Sequence, residues 1–136
     1  MPKLAGVLET ALYVARMPAA KRFYENVLGL EPMFADERMV AYGVGREVFL
    51  LFERGSTTQP VQVKGGTIPP HDGQGPLHMA FAIAHGELAE WEARLAEHAV
   101  EIEGRVRWPR GGESIYFRDP DRNLIELATP GLWENY

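Results

Sequence analysis

The chain has 136 residues, 46% of them hydrophobic, with a formal net charge of −5 and no cysteine. That length builds one compact unit, or two small modules sharing a core. The acidic balance argues against a nucleic-acid partner, which needs a basic face, and the missing cysteines exclude disulfides, thiolate metal sites and a cysteine nucleophile.

No apolar run reaches the length that spans a bilayer, and the start lacks the basic-then-apolar pattern of a secretory signal. The expectation is a cytoplasmic protein with no membrane partner.

Leu8 to Val14 alternates as a strand, with Leu8, Thr10, Leu12 and Val14 on one side and Glu9, Ala11 and Tyr13 on the other. Pro18 suits the first turn of a helix. The spacing of Phe23, Val27 and Leu28 predicts that helix over 19–28, stopped by Gly29. A short strand is expected around Met33-Phe34. Strands then follow over 39–44 and 48–52, joined by a turn at Gly45-Arg46. Residues 55–76, rich in Gly, Pro, Thr and Gln, read mainly as a linker or an active-site loop, with a short strand allowed at Val61-Gln62-Val63.

The order then repeats. A strand over 78–83 leads to an amphipathic helix over 87–98, with Leu88, Trp91 and Leu95 on one side. Three strand candidates follow, at 102–108, 114–117 and 124–128, with a tight turn at Asp119-Pro120-Asp121. Glu9 and His78 hold matched places in the two copies, Phe23 pairs with Trp91, and Leu28-Gly29-Leu30 pairs with His98-Ala99-Val100. Helices covering one face of each half-sheet would leave Glu9, Ala11, Tyr13, His78, Ala80, Glu126 and Ala128 on the other. Small residues beside acids suit a pocket. Trp108 and Trp133 are expected to pack on the core.

Four segments carry a family likeness: Glu9 to Val14, Arg22 to Leu30, Gly75 to Phe81, and Tyr116 to Leu127. Together they resemble the vicinal oxygen chelate superfamily, which includes glyoxalase I, fosfomycin-resistance thiol transferases, extradiol dioxygenases and bleomycin-binding proteins. The resemblance implies an α+β fold of two tandem βαβββ modules, forming a cupped mixed sheet with helices on its outer face. It implies a single domain over 1–136, made of a first module (1–55), a linker or active-site loop (56–76) and a second module (77–136). A homodimer is the expected assembly. Arg122 departs from the glycine usual in the family after Asp-Pro-Asp.

By the same comparison Glu9, His78 and Glu126 fall on three of four metal-ligand positions, and Leu50 stands where the fourth belongs. Singly, Glu9 reads as a solvated strand residue and His78 as a satisfied histidine, whereas Glu126 inside an apolar strand needs a partner. Jointly they make a mixed N/O set for one divalent ion: Zn, Mn, Ni, Co or Fe. Open coordination positions would let the ion polarise vicinal substrate oxygens, with Glu126 or Glu9 moving a proton. Tyr116, Ser114, His71, Tyr13 and Leu50 are the expected substrate-binding residues, with His71 as ligand or acid–base group. The implied function is a glyoxalase-like isomerase, lyase or thiol transferase acting on a small molecule. The alternatives are an Fe(II) extradiol-type dioxygenase, or a non-catalytic binder of the bleomycin-resistance kind.

Overall fold

In the computed structural model, which describes residues 1–136, the chain divides into two units, Met1–Gly75 and Pro76–Tyr136. The first opens with β1 (Glu9–Val14), α1 (Met17–Arg22) and a π-helical turn (Phe23–Val27). Then come β2 (Pro32–Ala35), β3 (Met39–Val44) and β4 (Glu47–Glu53), and the small strands β5 (Val61–Val63) and β6 (Gly66–Ile68). Its main sheet has the order β1-β4-β3-β2, with β1 parallel to β4 and the other pairs antiparallel. The alternation of β1 sets its two faces: Leu12 and Val14 are buried, while Glu9 is exposed.

The second unit repeats the plan with β7 (His78–Ala82), α2 (Leu88–Glu97), β8 (Gly104–Arg107), β9 (Glu113–Arg118) and β10 (Leu124–Ala128). The sheet order is β7-β10-β9-β8, again with its first strand parallel to its last. Two βαβββ modules in tandem make the α+β fold. The core of this unit includes Ile115, Phe117, Ile125 and Leu127, with Leu95 of α2 fully buried. Burying one such side chain is worth about 1.5–3 kcal/mol.

Strand register aligns the copies residue by residue. Glu9 pairs with Val48 and Ala11 with Leu50, just as His78 pairs with Leu124 and Ala80 with Glu126. Leu50 therefore stands in the first sheet where Glu126 stands in the second. The helix ends match as well. Gly29 and Ala99 both adopt left-handed backbone, at φ 73° and 56°.

Three expectations change. The first helix is α only to Arg22, and its last turn is π-helical. The cap shows the widening, because Leu30 N reaches back six residues to Tyr24 O, whereas Val100 N reaches back five to Leu95 O. The segment after β4 contains a hairpin, β5–β6, instead of one short strand. Trp133 does not pack on the core; it is 67% exposed.

Candidate metal centre

Glu126 lies in the middle of β10 between Ile125 and Leu127, and the whole residue is buried. A carboxylate there requires partners. Ser114 Oγ donates to Glu126 Oε2 at 2.6 Å, and Trp108 Nε1 donates to Ser114 Oγ at 2.8 Å. The strands make this contact possible. Tyr116 and Ser114 on β9 pair with Glu126 and Ala128, so both side chains share the face of Glu126. The Tyr116 phenol is raised above its ordinary value by burial first and then by the charge of the Glu126 carboxylate.

His78 begins β7, and its side chain is half exposed. Its Nδ1 lies 2.9 Å from Leu124 O. A carbonyl only accepts, so Nδ1 carries the hydrogen, and in the neutral ring Nε2 keeps a lone pair. That lone pair faces Glu126 Oε1 at 3.3 Å. Two acceptors at this distance repel unless a proton or a cation lies between them. The Tyr116 ring stacks on the imidazole, with centroids 6.4 Å apart and 30° between planes. Further along the same strand as His78, Ala80 and Ala82 are exposed, so small residues leave the face open beside the pair.

This arrangement fits a divalent ion. One imidazole nitrogen and one carboxylate oxygen converge, and each side chain is held from behind by a bond from its other polar atom. Such outer bonds are characteristic of metal ligands. The structure brings no three His, Asp or Glu side chains together at a spacing that would hold an ion. Glu9 lies in the other unit, at the register position of His78.

The remaining expected residues divide into two groups. Ser114 is buried and its hydroxyl is engaged by Glu126 and Trp108, so it orients the carboxylate instead of reaching a substrate. Trp108, expected only to pack, supplies the second link of that chain. In the first unit Leu50 belongs to an apolar cluster with Ala41 and Phe52, against which Ala11 and Tyr13 pack. Tyr13 hydrogen bonds to His71 Nδ1 at 2.6 Å. The Asp-Pro-Asp turn is tied by Asp119, whose Oδ1 accepts from Asp121 N and Asn123 N while Oδ2 accepts from Asn123 Nδ2. Asn123 Oδ1 in turn accepts from Leu77 N, fixing the residue just before His78.

Comparison with known proteins identifies the family. Residues 6–127 match the model of the Glyoxalase/Bleomycin resistance protein/Dioxygenase superfamily. Metallothiol transferase FosB of Shouchella clausii is 31% identical over 131 residues, covering 95% of this chain and 83% of the relative. FosB of Bacillus licheniformis is 27% identical over 133 residues, covering 97% and 80%. The crystal structure of lactoylglutathione lyase from Agrobacterium tumefaciens superposes with a TM-score of 0.87 at 32% identity, over 98% of this chain and 99% of that one. The fosfomycin resistance protein FosX of Listeria monocytogenes shares the fold, with a TM-score of 0.68 at 22% identity over 93% and 94% of the two chains. No helix of the structure is long and apolar enough to cross a membrane. The chain belongs to the glyoxalase, bleomycin resistance protein and dioxygenase superfamily.

Proposed function

We propose that the protein is a metal-dependent enzyme that binds a small substrate through two adjacent oxygens, with isomerase, lyase or thiol-transfer chemistry of the glyoxalase kind. The supporting observation is the pair of acceptors, His78 Nε2 and Glu126 Oε1, 3.3 Å apart and each braced from behind. Both atoms are free to ligate a cation once no proton lies between them. Glu9 is the third ligand in this reading, because it holds in the first sheet the register place that His78 holds in the second. Leu50 leaves the fourth place without a donor.

A divalent ion would supply Lewis-acid stabilisation of negative charge developing on the substrate oxygens. The protein's own groups do the rest. Ser114 holds Oε2 of Glu126, so Oε1 is the oxygen available for a ligand or a proton. The Tyr116 phenol, kept protonated, is a hydrogen-bond donor on the same face. Glu126 and Glu9 are the candidate proton carriers.

The FosB and lactoylglutathione lyase relatives, by their names, point to thiol-transfer and lyase chemistry. Turnover assays with the Mn²⁺- or Zn²⁺-loaded protein, using thiol addition and thiohemiacetal isomerisation, are expected to give activity that Glu126→Gln abolishes. Oxygen uptake with catechols in Fe²⁺, and no activity in the other assays, would replace this reading with a dioxygenase.

A further inference from the structure

The geometry points to Arg38 as an anion-binding residue of the first unit, whose guanidinium takes the carboxylate of a small molecule with an apolar body. The residues that make this site all lie within Met1–Gly75, and it stands whether or not the metal reading does.

Arg38 leads into β3 from a turn that uses its own acid. Asp36 Oδ1 accepts from Arg38 N at 2.8 Å and from Met39 N at 2.9 Å, and Glu53 N donates to Arg38 O at 2.9 Å. The side chain is half-buried and forms no ion pair. Its Cζ lies over the Phe52 ring, 5.6 Å from the centroid, and Nη2 makes one weak contact, 3.8 Å from Met39 Sδ. Arg118, also half-buried, pairs with Glu103 at 2.8 Å. No buried side-chain nitrogen in the structure lacks a partner. The remaining guanidinium N–H groups of Arg38 have none, so they reach solvent. A guanidinium laid on an aromatic ring keeps its edge for a carboxylate, which it grips through two parallel bonds.

The first sheet separates the charges. Phe52 pairs with Tyr13 and with Met39, and the face they share also carries Leu50 and Ala41. The other face carries Phe49 and Tyr42, with Tyr24 packed edge-on against Phe49. Asp36, Glu37 and Glu53 line a cleft there with Met17, Lys21 and Arg22 of α1. The acids next to Arg38 in the chain and across the sheet thus have cations of their own, and Arg38 is left without one of them.

The surroundings specify the rest of the ligand. Phe52 is fixed by the Tyr13 ring, stacked at 5.9 Å and 25°, and by the His71 ring, edge-on at 4.8 Å. Phe34 on β2 pairs with Ala41 and so shares this face, yet it is 53% exposed. Met33 beside it is 62% exposed and lies against Gly43. Two strand residues, about 7 Å, separate the level of Met39 from that of Ala41 and Phe34. That span suits a ring joined to a carboxylate by a short chain. A monoanion is also less costly to bring onto an apolar face than a phosphate dianion.

The test is calorimetric binding of hydrocinnamate, its neutral amide, acetate and inorganic phosphate to the protein as purified. Hydrocinnamate is expected to bind about tenfold more tightly than the amide. Arg38→Gln should erase that difference, and Arg38→Lys, a point charge without the fork, should keep part of it. Comparing the two probes within one variant cancels effects on the fold. His78→Ala, which lies in the other unit and removes a candidate metal ligand, should leave the difference intact. Phe34→Ser, at an exposed position, should weaken the acid and the amide alike. No preference for the carboxylate, a preference that survives Arg38→Gln, or one lost in His78→Ala would overturn the inference, the last by assigning the carboxylate to a metal ion. Acetate or phosphate binding as tightly as hydrocinnamate, or no effect of Phe34→Ser, would overturn the apolar body.

Discussion

His78 Nε2 lies 3.3 Å from Glu126 Oε1, while the other nitrogen of the same ring is bonded to the main-chain carbonyl of Leu124. The two residues are diagonal neighbours on parallel strands, since His78 pairs with Leu124 and Glu126 with Ala80. The carbonyl fixes the tautomer, the tautomer aims a lone pair at the carboxylate, and the contact then calls for a positive species between them. Backbone pairing thus brings an imidazole nitrogen and a carboxylate oxygen together on one face.

Ser114 is the support on the carboxylate side. Ser114→Ala removes the donor from Glu126 Oε2 and the acceptor from Trp108 Nε1 together. Two polar groups lose their partner, at a cost of about 1–3 kcal/mol each where they remain buried. Loss of an outer bond to a ligand weakens metal binding by about 10- to 100-fold. Urea unfolding of the metal-free variant and Zn²⁺ titration read the two effects separately. A variant with wild-type Zn²⁺ affinity would deny Ser114 its orienting role.

Arg122 offers a simpler test of backbone strain. It holds φ at 67°, in the turn where Arg122 N donates to Asp119 O. Left-handed backbone costs a residue with a Cβ about 1–2 kcal/mol, against which glycine adds freedom to the unfolded chain worth about 0.4–1 kcal/mol. The ion pair with Glu103, 3.7 Å long and mostly exposed, adds little. Arg122→Gly is therefore expected to match or exceed wild-type thermal stability by calorimetry. A clear fall in melting temperature would assign the side chain a role beyond the turn.

Tyr42 governs an alkaline effect. It is fully buried and donates to Glu25 Oε1 at 3.0 Å. Burial first, then that hydrogen bond and the charge of Glu25, push the phenol far above its ordinary value of 10.0. The folded state keeps this proton where the unfolded chain has lost it. Its contribution is complete below pH about 10 and declines as the pH rises beyond. Tyr42→Phe should lose about 1 kcal/mol at neutral pH with its hydrogen bond, and should show a shallower loss of stability between pH 9 and 11. Urea midpoints across that range check both signs, and parallel slopes in the two proteins would contradict the assignment.

Much of this was legible in the sequence because the side-chain period of a strand is fixed. Alternation put Glu9, Ala11 and Tyr13 on one face, and the repeat aligned Glu9 with His78 and Leu50 with Glu126, as the strand register does. Other features were hidden for physical reasons. Ser114 was expected to contact substrate. Whether a hydroxyl two strand positions from Tyr116 points to a ligand or to a neighbouring carboxylate depends on its rotamer, which no pattern records. The link from Trp108 was missed because Trp108 lies one residue past the last β8–β9 pair, Arg107 with Glu113, and reaches back to Ser114. The β5–β6 hairpin did leave a signal, the Lys64-Gly65 turn between Val61-Gln62-Val63 and Gly66-Thr67-Ile68, but its strands are only three residues each. The π-helical turn leaves no compositional trace at all.

The central claim is tested most directly by metal analysis and calorimetric titration of protein purified without chelator. The account expects about one divalent ion bound per chain and a higher melting temperature with Zn²⁺, Mn²⁺ or Ni²⁺. Both effects should be lost in His78→Ala and Glu126→Ala. The absence of stoichiometric ion with no thermal shift, or unchanged metal affinity in Glu126→Ala, would contradict it.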